Sequence, residues 1–266
     1  MKNFVTVNWL KDNLNKVILL DVREEYEKGH IPGAISLELE SKLTVAIEKH
    51  GGRHPMPTPE EFEKTLQKAG LSLDDNIVCY DSGELAYAGR LWWMLKFMGF
   101  TSVKVLEGGY PKWIEAGGES STEEVLPIPN PDLKVNVLED IALSMEHVRD
   151  NIIYNPDVAL VDSRAAERYR GEIEPLDFKA GHIPSAYNYP YETMIAEGEI
   201  PSEEKLREWY KDLFDYKDVV VYCGSGITAT VNILLMEEAG LKPKLYCGSF
   251  SDWITYPENE INTTER

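Results

Sequence analysis

Short apolar runs alternate along this chain with longer stretches of helical spacing, and polar turns separate them. The short apolar runs at 17–22, 76–81, 103–106, 158–162, 218–223 and 244–246, most of them rich in Val, Ile and Leu, are too short for helices, so they predict buried strands. Segments 60–69, 203–213 and 229–239, and an apolar stretch ending at Gly99, predict helices. Strands alternating with helices in this order describe an α/β protein, with parallel sheets flanked by helices on both faces. Ligands of such sheets bind beyond the carboxyl ends of the strands.

The pattern occurs twice. Val-Ile-Leu-Leu-Asp-Val-Arg followed by His30-Ile31-Pro32 returns as Val-Ala-Leu-Val-Asp-Ser-Arg followed by His182-Ile183-Pro184. The run ending at Tyr80-Asp81 returns as the run ending at Tyr222-Cys223, and Gly108…Trp113 returns as Gly248…Trp253. A repeat of this length means two domains rather than a solenoid. The proline-bearing stretch at 119–133 reads as a linker, so the expected domains are 1–118 and 134–266.

Composition changes the picture in two ways. A formal charge of −19, with a pI near 4.7, is spread along the 266 residues. That excludes nucleic acid and anionic membrane surfaces as partners, and it obliges a site for a small anion to carry its own cations. Three scattered cysteines, Cys79, Cys223 and Cys247, fit neither a disulfide framework nor a zinc site and suit a reducing compartment. With no apolar leader in residues 1–10 and no run long enough to span a membrane, the expected location is cytoplasmic.

The candidate chemistry lies at Cys223-Gly224-Ser225-Gly226-Ile227-Thr228, between a strand and a helix. Small residues let the backbone curl around the sulfur, so that the N–H groups of Gly224 to Thr228 and the helix N-terminus stabilise an anion there. Cys79, inside its apolar run, is the opposite case: a core cysteine. Asp81 stands at the duplicated position and cannot carry sulfur, so the first domain is expected to be a structural half and a wall of the cleft. A phosphatase loop of this kind needs an arginine six positions after the cysteine to clamp phosphate. Ala229 stands there.

In these motifs the chain resembles the tandem-domain rhodanese family of sulfurtransferases. The resemblance spans nearly the whole length, through 21–34, 80–83, 106–113, 162–164, 182–184 and the Cys223 loop. It implies two rhodanese-like domains, the second catalytic, and sulfur transfer through a Cys223 persulfide with no metal or organic cofactor. The expected partners are a small anionic sulfur donor and a thiol acceptor, of which a thioredoxin-like dithiol is one form; cyanide is another acceptor. The loop is similar to that of 3-mercaptopyruvate sulfurtransferases. The alternatives are a thiosulfate:cyanide sulfurtransferase, which favours cationic residues after the cysteine, and a persulfide carrier or binding module.

Arg168 matches a family arginine placed to bind the donor's anionic group. The second arginine usual in pyruvate-type enzymes is missing from 172–178, where Lys179 is the substitute and Asp177 is acidic. Asp162 and Arg164, like Asp21 and Arg23, occur in both halves and read as loop-bracing ion pairs, with Asp162 kept as a candidate site residue. His30 is a candidate proton-relay residue. Arg53-His54 resembles a family segment and also reads as a capped loop before a helix.

Overall fold

The apolar runs form ten strands among the described residues of the computed structural model, which describes residues 1–195 and 199–264. In chain order they are β1 (Phe4–Val5), β2 (Ile18–Asp21), β3 (Ile35–Ser36), β4 (Ile77–Tyr80), β5 (Val103–Leu106), β6 (Ala142–Leu143), β7 (Val158–Asp162), β8 (Tyr187–Asn188), β9 (Asp218–Tyr222) and β10 (Lys244–Tyr246). Their order is β1-β5-β4-β2-β3 in one sheet and β6-β10-β9-β7-β8 in the other, and every pairing is parallel. This is the expected α/β architecture, built twice.

Two compact units contain these sheets. The first comprises residues 1–45 and 56–138, the second 46–55 and 139–266. Residues expected as linker are pinned along the first unit: Ser121 bridges to His30, Asn130 donates to Leu71 O and Ser72 Oγ, and Leu133 is buried. The first unit therefore runs to Leu138. Segment 46–55 is contributed to the second unit from within the sequence of the first.

Central strands β4 and β9 are apolar on both faces because helices cover the sheet. Helix Ala229–Ala239 is buried almost all round, as is Ala86–Phe97 with Trp92 and Trp93. Neither shows the polar stripe of a surface helix.

Each unit repeats one brace. Asp162 takes a forked guanidinium bond from Arg164 (Nη2 to Oδ2, 2.6 Å), and the same Nη2 donates to Gly181 O at 2.7 Å. Asp21, Arg23 and Gly29 O repeat this with the same distances. The following histidines stack on tyrosines, His182 on Tyr169 and His30 on Tyr26, at centroid separations of 3.7 and 3.8 Å. Tyr222 and Tyr80 accept the amides of Ile183 and Ile31 through their hydroxyls. The shared Asp-x-Arg and His-Ile-Pro motifs are thus scaffolding that ties the strand end to the next loop.

Burial makes the brace sensitive to losing one partner. Asp162 is 0% exposed and Arg164 3%, so Asp162→Ala leaves a guanidinium out of water without its main counter-charge. The expected loss of unfolding free energy is about 3–5 kcal/mol, read by urea denaturation. A change under about 1 kcal/mol would remove the pair from the list of structural supports.

Candidate functional site

Cys223 follows β9, the middle strand of its sheet, and its neighbour β7 ends at Asp162. The chain leaves β7 for β8 on one side and returns to β9 on the other, so the cysteine occupies a topological switch point at the carboxyl edge. Gly226 adopts a left-handed φ of 78°, which turns its N–H back onto the sulfur at 3.2 Å. The loop is held from below as well. Cys223 N donates to Ser249 Oγ, while Phe250 N and Ser251 N donate to the carbonyls of Cys223 and Gly224.

Cys223 is 1% exposed and Ser225 7%. Ser225 Oγ shares a 2.7 Å hydrogen bond with His54 Nδ1. His54 reaches the loop because segment 46–55 is anchored on the second unit: Gly51 N donates to Asp252 Oδ1 at 2.7 Å and Arg53 N to Ser251 Oγ at 3.0 Å. Gly52 permits this approach, since a Cβ there would stand 2.5 Å from Gly248 O and its φ is 81°.

An alternating chain of charges borders the loop. Asp162 pairs with Arg164, and Arg164 Nη1 reaches Glu174 at 3.3 Å. Glu174 takes Arg168 through Nη2 at 2.7 Å and Nε at 3.1 Å. Arg168 Nη2 also meets Asp177 at 3.1 Å, and Asp177 takes Arg53 Nε at 2.8 Å. Burial works to raise the Glu174 carboxyl, but the bonds from Arg168 and from the Leu176 and Asp177 amides outweigh it and hold it below the usual carboxylate range.

The expected site residues separate into two groups. Arg168, Gly224, Ser225, Gly226, Ile227 and Thr228 are brought together around Cys223, with Ile227 buried and Thr228 half-buried at the start of the helix. Lys179 is not: its ammonium lies over the exposed ring of Phe178 at 5.9 Å, and it forms no ion pair among the described residues. Asp162 is consumed by the Arg164 brace and lies wholly inside. His30 is buried in the first unit, its Nδ1 against Tyr26 O and its Nε2 against Glu123 O, which leaves neither nitrogen to relay a proton.

Arg53 and His54 are the residues whose place beside Cys223 the sequence did not assign. One signal lay in the duplication: the corresponding stretch of the second half, 189–202, contains no Lys, Arg or His.

The duplicate loop in the first unit is filled by its own side chain. Asp81 accepts the amides of Gly83, Leu85 and Ala88 at 2.9, 3.3 and 3.1 Å. Complete burial nonetheless pushes its carboxyl above the ordinary range, against the pull of those amides. Where the loop of the second unit turns the Gly226 amide onto a sulfur, the first has spent its amides on a carboxylate. Burial likewise pushes the Cys79 thiol up, and Cys247 is a half-buried thiol in no disulfide.

Comparison with known proteins follows the same lines. The rhodanese-like domain profile matches residues 6–116 and 144–256. A Pseudomonas aeruginosa protein, provisionally named a 3-mercaptopyruvate sulfurtransferase, is 38% identical over 90% of this chain and 86% of its own. A Mycobacterium tuberculosis protein, provisionally named a thiosulfate sulfurtransferase, is 33% identical over 92% of this chain and 90% of its own. The solved 3-mercaptopyruvate sulfurtransferase of Leishmania major superposes with a TM-score of 0.83 at 28% identity, covering 95% of this chain and 74% of that one.

Proposed function

The chain belongs to the rhodanese family, with two rhodanese-like domains in tandem, and on that premise we propose that it transfers sulfane sulfur from 3-mercaptopyruvate to a thiol through a persulfide on Cys223. The observation that carries this reading is the Gly226 amide directed at the Cys223 sulfur from a loop without cationic side chains. Neutral amide donors suit a thiolate and the persulfide it becomes.

The Cys223 thiolate attacks the donor sulfur, and the donor's carbon–sulfur bond breaks with its electron pair leaving on carbon as the enolate of pyruvate. A proton must reach that carbon. Ser225 is the donor to it, and His54, bonded to the Ser225 hydroxyl, returns the proton. The acceptor thiolate then attacks the outer sulfur, the sulfur–sulfur bond breaks, and Cys223 is released as thiolate. A thioredoxin-like dithiol is the acceptor whose second thiol can carry the reaction on to a disulfide. Free thiols and persulfide chemistry suit a reducing, cytoplasmic setting; no helix among the described residues is long and apolar enough to cross a membrane.

Arg168 Nη1 has no bonded partner among the described residues and lies 3.6 Å from where a Gly224 side chain would start. We assign it to the donor's carboxylate. Arg168→Ala is expected to lower kcat/KM for 3-mercaptopyruvate roughly tenfold to a hundredfold, the value of one charge-assisted hydrogen bond. An unchanged donor dependence would take Arg168 out of the site.

The reading as a whole is tested by mass detection of one added sulfur on Cys223, followed by kcat/KM for 3-mercaptopyruvate and thiosulfate side by side. Higher kcat/KM for thiosulfate would make this a thiosulfate enzyme. Loading without multiple turnover would make it a carrier.

A further inference from the structure

We propose that Arg53 is the second cation of the donor site, closing with Arg168 on the donor's carboxylate; the inference rests on the sulfur-donor reading of Cys223. A Cβ built on Gly224, the residue after the nucleophile, would stand 2.7 Å from Arg53 Nη2 and 3.5 and 3.6 Å from Arg168 Nη2 and Nη1. Two guanidiniums therefore converge on the space that glycine leaves open. They arrive from positions far apart in the sequence, and one buried carboxylate sets both: Asp177, its side chain 2% exposed, takes Arg53 Nε and Arg168 Nη2.

The donors left over fit a carboxylate. Nε and Nη2 of each arginine are engaged, whereas Nη1 of neither has a bonded partner among the described residues. Guanidinium stays charged and matches a carboxylate in a planar fork, which an ammonium cannot do. Lys179, the substitute suggested by sequence, is held over Phe178 instead.

Charge selects the kind of anion. Arg53, Arg164 and Arg168 alternate with Asp162, Glu174 and Asp177, so the network is formally neutral before a donor enters. A monoanionic α-keto acid can be held by directed N–H groups in such surroundings. A dianion brings one uncompensated charge more than a monoanion does, and the ion pairs among the described residues offer no further cation for it.

The experiment is single-turnover persulfide formation on Cys223, followed by mass across a concentration series of 3-mercaptopyruvate, for the unaltered chain, Arg53→Gln and Arg53→Lys. In Arg53→Gln the half-saturating donor concentration is expected to rise about tenfold or more, with the maximal loading rate within about threefold of the unaltered chain. Arg53→Lys is expected to fall between, since it keeps the charge and loses the fork. It carries the same test if Arg53→Gln does not fold. An unchanged half-saturation, or a lower maximal rate at unchanged half-saturation, overturns the assignment, because that is how a residue merely supporting Asp177 would behave. If the unaltered chain forms no persulfide from 3-mercaptopyruvate, the donor reading falls and takes this inference with it. If it loads and Arg53→Gln loads equally well, this inference alone falls.

Discussion

Replacing Cys223 with serine is expected to abolish sulfur transfer and all loading of the protein with sulfur. A hydroxyl in the same cradle cannot form a persulfide, and no other step of the proposed cycle bypasses that covalent intermediate. The other cysteines supply the internal control. Cys79 is wholly buried with its thiol pushed up by burial, which starves it of thiolate. Cys247 lies in no disulfide, and Gly248, unlike Gly226 in the Cys223 loop, has a φ of −67°. Cys79→Ser and Cys247→Ser are therefore expected to keep turnover, with the added sulfur found on Cys223 by peptide mass. Turnover in Cys223→Ser, or sulfur on either other cysteine at a comparable rate, would dismiss the assignment.

His54→Ala is expected to lower kcat with 3-mercaptopyruvate by roughly 10²–10⁴, the usual worth of a positioned proton-transfer group. The same substitution should change whatever thiosulfate turnover the chain has by less than about tenfold. The asymmetry comes from the leaving groups: a carbon-centred enolate requires a proton, whereas sulfite departs as a stable anion. Ser225→Ala should follow His54→Ala, because the two share the hydrogen bond that delivers the proton. Equal losses with both donors would instead mark the pair as a support of the loop, and thermal unfolding of the variants would show it.

What the sequence disclosed follows the range over which each feature is encoded. The Cys223 loop was legible because its chemistry is local: a strand end, small residues and a helix start, all within a few positions. The two α/β units were legible because strand and helix periodicities repeat in order. Arg53 and His54 were not. Their contacts span 124 residues to Asp177 and 171 to Ser225, and they sit in a segment with neither helical nor strand period. Lys179 was named on adjacency in the loop, which says nothing about the face a side chain takes; its ammonium lies over Phe178. At 173–178 the chain alternates, with Glu174 and Asp177 turned inward to the arginines and Ile173, Leu176 and Phe178 exposed. His30 and Asp162 were kept as candidates although the repeat already argued that they are structural. Repetition in a half that lacks the cysteine identifies architecture, which is what their buried bonds do.

The anchoring of 46–55 also bears on how the protein is made. During synthesis this segment emerges long before its partners, since Arg53 waits 198 residues for Ser251 and Gly51 waits 201 for Asp252. The first unit can reach its own sheet while the strap that carries Arg53 and His54 has nothing to hold. Closing so long a loop is slow and comes late. Catalytic competence should therefore lag behind the appearance of secondary structure on refolding, and a C-terminal half released by cutting the chain at 119–138 would own the nucleophile without its proton relay.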